Sequence, residues 1–555
     1  MGSTMQSKSK LKSMIIGLDG ATFDLILPFI KENKLPTFAR LLEKGAWGKL
    51  ESTIPPITAA AWTSFMTGQN PGNHGIINFT KAGMNEASGE EIVTTKDFAG
   101  KTFFDVMSNN GMKVGVITVP ITYPPWDING IMISGYPSPD NDKIYSMSKD
   151  ISVDVNEPLN FSAEYYRISS EEQIIEDCLY RDKLRADLMF DLLDRYEFDC
   201  FVIVLGGTDR SQHDYWKYHD SQYPGVSDDD RKKFQDAIFR NYKLADEQIA
   251  KFLDMYGEET NLFIISDHGA GRHPFNFFNV NLWLRNKGWL KLDAKKALAR
   301  EALRKIYRAF MPLLIPKNKK STRLLPKLKQ RSTKLGGGSG KVFDWNKTSA
   351  FYYPLAYPAG GIMINLKGRQ PRGIVKPGCE YDDLVNAIIQ SLLEYRDEKT
   401  GEKIAERVYS RQQAYQGPYV HNFPDIVYVL NPNYESGKEI LGPVVSPVPK
   451  IRLSKKSGLH LMNGIFIAHG PKIKPSQISG ARIIDVASTV LYATGLCIPK
   501  AMDGVILTDI FKEQVLQQHQ AEYLSWKVER PTKEVVLETQ EHDEMKEKLR
   551  SLGYL

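Results

Sequence analysis

The sequence predicts an α/β fold, with a mainly parallel central sheet, helices on both faces, and insertions. Two observations predict it. Apolar, β-branched runs alternate with helix-patterned segments across most of the chain. Several of these runs end on an acid or lie against a histidine, at the sheet edge where α/β proteins collect ligands.

The first run, Met14-Ile15-Ile16-Gly17-Leu18, closes on Asp19 and is followed by a helical pattern through Leu35 to Lys44. Pro55-Pro56-Ile57-Thr58 then opens a helix-like stretch to Met66. Lys113 to Thr118 reads as the next strand. Phe201-Val202-Ile203-Val204-Leu205 precedes Asp209 and His213, and Leu262-Phe263-Ile264-Ile265-Ser266 closes on Asp267-His268. Ile426 to Leu430 is a further strand. His460 stands just before Gly464-Ile465-Phe466-Ile467-Ala468, and Ile483 to Tyr492 is a helical pattern stopped by Gly495.

Two stretches break the alternation, at about 80–170 and 285–340. The organisation expected is a disordered or vector-derived N-terminus at 1–12, a catalytic domain at 13–510 with those two insertions, and an extension at 511–555 carrying a short charged helix from Glu541 to Leu552. The second insertion ends in Gly336-Gly337-Gly338-Ser339-Gly340, a flexible joint. It lacks the Lys-Ser/Thr ending and strand–helix setting of a phosphate loop.

Composition excludes several classes. Of 555 residues, 42% are apolar and 25% charged, as in ordinary globular proteins. No run is long and apolar enough for a membrane span, and the N-terminus lacks a secretory apolar core. Cys178, Cys200, Cys379 and Cys497 are scattered without a CxxC pair, which suits reduced thiols in a cytoplasmic protein. Net charge is +6, yet residues 286–335 hold 16 basic and 2 acidic residues, leaving −8 for the rest. That segment is read as a packed, solvated helix and loop, as a lid, or as a peripheral contact with an anionic membrane. Leu303, Ile306, Tyr307 and Phe310 would form its apolar face. Nucleic acid is not expected, because aromatics are not interleaved with the charges.

The chemistry lies at the strand ends. Three carboxylates (Asp19, Asp209, Asp267) and three histidines (His213, His268, His460) can hold two divalent metals. Mixed carboxylate and imidazole donors favour Zn²⁺, with Mn²⁺ or Fe²⁺ as alternatives. Thr58, at a helix start, is the candidate nucleophile, since N–H groups and the helix dipole favour an oxyanion there. A helix N-cap is its alternative role.

Thr58 is followed by Ala59-Ala60-Ala61-Trp62-Thr63-Ser64-Phe65-Met66-Thr67-Gly68, then Pro71 and His74-Gly75-Ile76. This stretch resembles the nucleophile segment of the type I phosphodiesterase/nucleotide pyrophosphatase family, in the alkaline phosphatase superfamily. Asp209-Arg210-Ser211-Gln212-His213 resembles its Asp-x-x-x-His motif. Ser266-Asp267-His268-Gly269 resembles its Asp-His-Gly motif, and Ser457-Gly458-Leu459-His460 its final histidine motif. The resemblance covers nearly the whole chain and implies an alkaline phosphatase-like fold. It implies that Asp19, Thr58, Asp267 and His268 hold the metal that activates the nucleophile, while Asp209, His213 and His460 hold the metal facing the leaving group. A covalent phospho-Thr58 would follow, then its hydrolysis.

Two departures matter. The family's phosphate-binding Asn falls at Phe79 here, so Asn78 fills that role only after a one-residue shift. Ala59 to Trp62 replaces the Phe-Pro-Asn-His of nucleotide-cleaving members, so nucleotide specificity does not carry over. The expected activity is cleavage of a phosphodiester or pyrophosphate bond in a phosphate-containing small molecule or lipid-linked substrate. Phosphotransferase, phosphomutase and phosphonate hydrolase are related alternatives, and a metal-binding pseudoenzyme is the non-enzymatic one. His74 is expected to order its turn rather than bind metal, and His273 to sit on a surface loop. Asp425, after Tyr415-Gln416-Gly417-Pro418-Tyr419, is expected to be structural.

Overall fold

A computed structural model describes residues 11–81, 91–139, 146–148, 151, 153, 159–160, 169–299, 342–454, 456–525 and 539–552. Most of the basic segment and its expected apolar helix lie outside the described residues.

A ten-stranded mixed sheet dominates. Its strands are β1 (Ser13–Leu18), β2 (Ala46–Glu51), β3 (Val114–Ile117), β4 (Gly130–Ile133), β5 (Ser146–Ser148), β6 (Cys200–Leu205), β7 (Asn261–Ile265), and three contributed from beyond residue 460. Between β7 and those three lie β8 (Gly269–Arg272), β9 (Asn276–Asn279), β10 (Ala350–Tyr353), β11 (Ala359–Ile364), β12 (Ala405–Ser410), β13 (Ile426–Leu430), β14 (Tyr434–Gly437), β15 (Val445–Pro447) and β16 (Gly458–Leu461). The three late strands of the main sheet are β17 (Asn463–His469), β18 (Ser476–Gln477) and β19 (Ala481–Arg482).

The order β7-β1-β6-β3-β4 is parallel throughout, while β17 joins β7 and β2 antiparallel. Both faces of the parallel core are covered. Along β6, Cys200, Val202 and Val204 enter one apolar core, and Phe201, Ile203 and Leu205 enter the other. That is why the run is apolar at every position.

The helices that matter for the site are α1 (Phe23–Lys31), α2 (Pro36–Lys44), α3 (Thr58–Thr67), α4 (Phe103–Asn109), α5 (Glu171–Arg195), α6 (Gly207–His219), α7 (Ala237–Tyr256), α8 (Cys379–Glu394), α9 (Asp485–Thr494) and α10 (Thr539–Leu552).

Two expectations change. Besides the expected strand β3, the 80–170 stretch supplies β4 and α4, with Phe103 and Phe104 fully buried. Its polar composition reflects loops around those elements. Ile426–Leu430 is a strand, but not of the main sheet. It is β13, in an antiparallel sheet of order β10-β11-β13-β12 with its own apolar core under α8. Asp425, just before it, is buried and takes bonds from Arg369, Arg411, Tyr381 and the Ile364 N–H.

Candidate active site

Register brings the strand-end acids together. Leu18 pairs with Leu205 and Gly17 with Ile265, so β1, β6 and β7 end level. Asp19 and Asp267 follow directly, and Asp209 follows one turn into α6. Gly20 (φ 67°) makes the turn after β1, and a Cβ there would lie 2.9 Å from Asp209 Oδ1. Its N–H donates to Asp267 Oδ1 at 3.2 Å. Thr208 Oγ1 donates to the Asp19 carbonyl at 2.6 Å, and Gln212 Nε2 to the Gly20 carbonyl at 2.9 Å, which lashes α6 to the same turn.

The histidines arrive from three elements. His213 stands one helical turn after Asp209 on α6, His268 follows Asp267, and β16 pairs antiparallel with β8 to deliver His460. Each ring uses Nδ1 on a backbone carbonyl: His213 on Gly458 (2.7 Å), His268 on Gly269 (3.0 Å) and His460 on Pro56 (2.9 Å). A carbonyl only accepts, so each Nδ1 carries the proton and each Nε2 presents a lone pair. Those lone pairs face carboxylates and one another. His213 Nε2 lies 3.4 Å from Asp209 Oδ1, and His460 Nε2 lies 3.5 Å from the same oxygen. His268 Nε2 lies 3.3 Å from Asp267 Oδ2 and 3.6 Å from Asp19 Oδ1. The two Nε2 atoms of His213 and His460 are 2.9 Å apart.

Acceptors packed against acceptors repel. Asp19 Oδ1, Asp209 Oδ1, Asp267 Oδ2 and His268 Nε2 are buried with no hydrogen-bond partner among the described residues. Such atoms are costly to bury unless a cation joins them. Ligand bonds of about 2.0–2.2 Å put neighbouring donors about 3.3–3.6 Å apart, which fits most of these distances. Two overlapping triads, Asp19-Asp267-His268 and Asp209-His268-His460, have the closeness a metal ion needs. His268 belongs to both, whereas the sequence reading assigned it to one.

The electrostatics agree. Burial first, then the charge of Asp267, pushes the Asp19 carboxyl well above its usual range; burial first, then Asp19, does the same to Asp209. Asp267 is pushed up to about 8 by burial and by Asp209. Burial holds His213 and His460 well below their usual value and brings His268 to about 4. Burial and carboxylate–carboxylate repulsion outweigh the nearby Lys456 charge at Asp209, and the imidazoles stay neutral, as metal ligands must be.

Thr58 lines one cavity with Asp19, Asp209 and His213. It is the first helical residue of α3; Ile57 is the N-cap and supplies no side-chain cap. The N-cap alternative is therefore not what the fold uses. Trp62, one turn on, is fully buried and donates from Nε1 to Asp19 Oδ2 at 3.2 Å. Its ring packs where a Cβ at residue 17 would be, so Gly17 lets helix and strand close on each other.

Asn78 stands apart. It does not line the cavity, and its Oδ1 accepts from the Phe79 N–H at 2.8 Å. His74 bonds Ser64 Oγ at 2.8 Å and accepts from the Ile76 N–H, ordering the turn after α3. His273 departs from expectation. It is 1% exposed, with Nδ1 on the Pro274 carbonyl and Nε2 3.6 Å from Glu435 Oε2, because β14 pairs beside β9 and covers it.

Three cations share the cavity that sequence reasoning did not single out: Arg185, Arg210 and Lys456. Arg210 sits inside the Asp-x-x-x-His motif and Lys456 four residues before His460, so proximity to motifs was an available signal. Arg185 had none. It lies in the middle of α5, pairs with Asp182 at 2.9 Å, and Asp182 accepts from the Gly206 and Gly207 N–H groups at 3.1 and 2.7 Å. That pair caps the start of α6, which no side chain of its own caps. Asp182→Asn should leave Arg185 buried without its charge partner, at a cost of about 3–5 kcal/mol. Chemical denaturation reads the loss; a change under about 1 kcal/mol would contradict this role for Asp182.

The family model of type I phosphodiesterase/nucleotide pyrophosphatase matches residues 14–464. The chain belongs to this family. The match takes in all eight side chains proposed from the sequence and places the chain among hydrolases of phosphate esters and anhydrides. No curated protein matches it. Solved structures similar to it include murine ectonucleotide pyrophosphatase/phosphodiesterase 5, at 14% identity, covering 90% of this chain and 100% of that one, with TM-score 0.43. Another is phosphonoacetate hydrolase from Sinorhizobium meliloti in complex with phosphonoacetate, at 15% identity, 87% and 95% coverage, and TM-score 0.45. Among the described residues no helix is long and apolar enough to cross a membrane.

Proposed function

We propose that this family member cleaves a phosphodiester or pyrophosphate bond in a phosphate-containing small molecule, with Thr58 as nucleophile. The observation that carries this reading is the convergence of unpartnered Asp and His donors, of which Asp19 and Asp209 line one cavity with a helix-start Thr. Asp19, Asp267 and His268 would hold one divalent ion beside Thr58, and Asp209, His213 and His460 a second; the donor set favours Zn²⁺, with Mn²⁺ or Fe²⁺ as alternatives. Such ions supply Lewis-acid polarisation of the phosphoryl oxygens and lower the pKa of a coordinated hydroxyl.

The chain's own groups do the rest. Thr58 Oγ1 gives up its proton and attacks phosphorus in line, the P–O bond to the leaving group breaks and that oxygen takes up a proton, and a phospho-Thr58 ester bearing the rest of the substrate forms. The unpaired N–H groups in the first turn of α3 stabilise charge on the phosphoryl oxygens. Trp62 holds the Asp19 carboxylate in place through Nε1. Water then cleaves the phospho-Thr58 ester and restores the hydroxyl. Asn78 would add a phosphate contact only after its loop turns the side chain from the Phe79 N–H.

The test compares a bis-aryl phosphate diester with an aryl phosphate monoester, each with Zn²⁺ or Mn²⁺. The expected result is faster turnover of the diester. Preference for the monoester would overturn the diesterase reading.

A further inference from the structure

Helix α10 lies beyond the family match and plays no part in the proposed chemistry, yet it packs against the loops that form one wall of the cavity. Met545 and Leu549 are buried in the apolar core on one face of the sheet. Lys548 is 2% exposed and donates from Nζ to the Ser138 carbonyl at 3.1 Å. Glu541 accepts from the Tyr123 hydroxyl at 2.9 Å. The helix thus holds two loops at once, those leaving β3 and β4. The same loops put Thr118, Pro120 and Tyr136 into the cavity.

The contacts continue inward. Asn160 Nδ2 donates to Ser138 Oγ at 3.1 Å, and Arg185 Nη2 donates to Asn160 Oδ1 at 3.3 Å. Arg185 Nη1 binds Asp182 at 2.9 Å, and Asp182 caps the Gly206 and Gly207 N–H groups that open α6. Lys548, Ser138, Asn160, Arg185 and Asp182 therefore form one hydrogen-bonded chain from the C-terminal helix to the helix carrying Asp209 and His213. A buried ammonium is costly to keep, and its position at the head of this chain gives it a task beyond packing.

We propose that α10 is a positioning element for the active site, with Lys548 its positioning residue. Docked, it holds the 118–138 wall against Asn160 and Arg185, and through Asp182 it fixes the start of α6. Loosening it relaxes that wall and the α6 end without disturbing the rest of the sheet.

Hydrogen exchange on the full-length chain tests this without any turnover. Ser138→Ala cuts the chain at its middle while sparing Lys548 and the apolar contacts of α10. The expected result is at least tenfold faster exchange at the Gly206 and Gly207 amides, with α10 itself still protected. Lys548→Met should speed exchange at the same amides, and Lys548→Arg should restore protection. Unchanged exchange at Gly206 and Gly207 in both Ser138→Ala and Lys548→Met would overturn the proposal. So would acceleration spread evenly over the whole chain, which marks a loss of global stability alone. A parallel arm, at least a threefold lower kcat/KM toward the diester in Ser138→Ala, rests on the phosphohydrolase reading; the exchange arm does not, so the two can fail separately.

Discussion

Thr58→Ala is expected to lower kcat toward the diester by about 10⁴-fold or more, the scale seen when a nucleophile is removed from a site that keeps its other groups. The fold should survive. Thr58 occupies the first helical position rather than the N-cap, so α3 loses no capping bond, and Ala suits a helix interior. Every Asp and His of the cluster remains, so divalent metal should still raise the melting temperature of the variant. The covalent step has its own signature: acid quench during turnover of the diester, followed by mass spectrometry, should find a monoaryl phosphoryl group on the peptide containing Thr58 in the parent chain and none in the variant. Turnover surviving intact in Thr58→Ala would sink the covalent mechanism and leave direct attack by water.

Stripping divalent metal is expected to have an effect of similar size, about 10³-fold or more on kcat, because the Lewis-acid contribution amounts to several kcal/mol. It should also destabilise the protein in a pH-dependent way, and the sign follows from the shifted groups. Asp267 sits at about 8 in the folded protein against an ordinary 3.8. Its contribution to stability is present below about 4 and is lost as pH rises through 8. The histidines shift the other way: His268, at about 4, contributes above its usual 6.5 and loses that contribution as pH falls toward 4. Between about pH 7.5 and 8.5 the imidazoles are neutral in either state, so the falling Asp267 term decides. The metal-free chain should lose stability across that window, and the gain on adding Zn²⁺ or Mn²⁺ should widen. At a hundredfold excess over Kd, each site adds about 2.7 kcal/mol. Thermal denaturation with and without metal at pH 7.5, 8 and 8.5 measures this. A gap that stays constant or narrows would show that the carboxylates are not the groups the metal relieves.

Local pattern carried much of this protein. The apolar runs ending at Leu18, Leu205 and Ile265 marked parallel strands, because a strand buried on both faces must be apolar throughout. Asp19, Asp209, Asp267, His213, His268 and His460 stood out because each lies within a few residues of such a run. Level strand ends then had no choice but to bring the acids close. The Thr58 interval to Thr67-Gly68 likewise resides within one helix and its stop.

Other features were decided only by tertiary contact. The Asp-His triads overlap at His268 because β16 pairs with β8 across almost 190 residues, and no local spacing encodes that approach. His273 became buried because β14 pairs with β9. Arg185, a polar residue in the middle of a long helix, reads from sequence as a solvated face; folding turned it onto Asp182 and the end of α6. The charged C-terminal segment gave no hint of Lys548 reaching Ser138. The sequence by itself determined which acids and histidines stand at the strand ends as candidates for the proposed chemistry, since period and strand ends are local properties. The tertiary structure alone decided what holds them in place, since buried charge finds its partner only when distant elements pack.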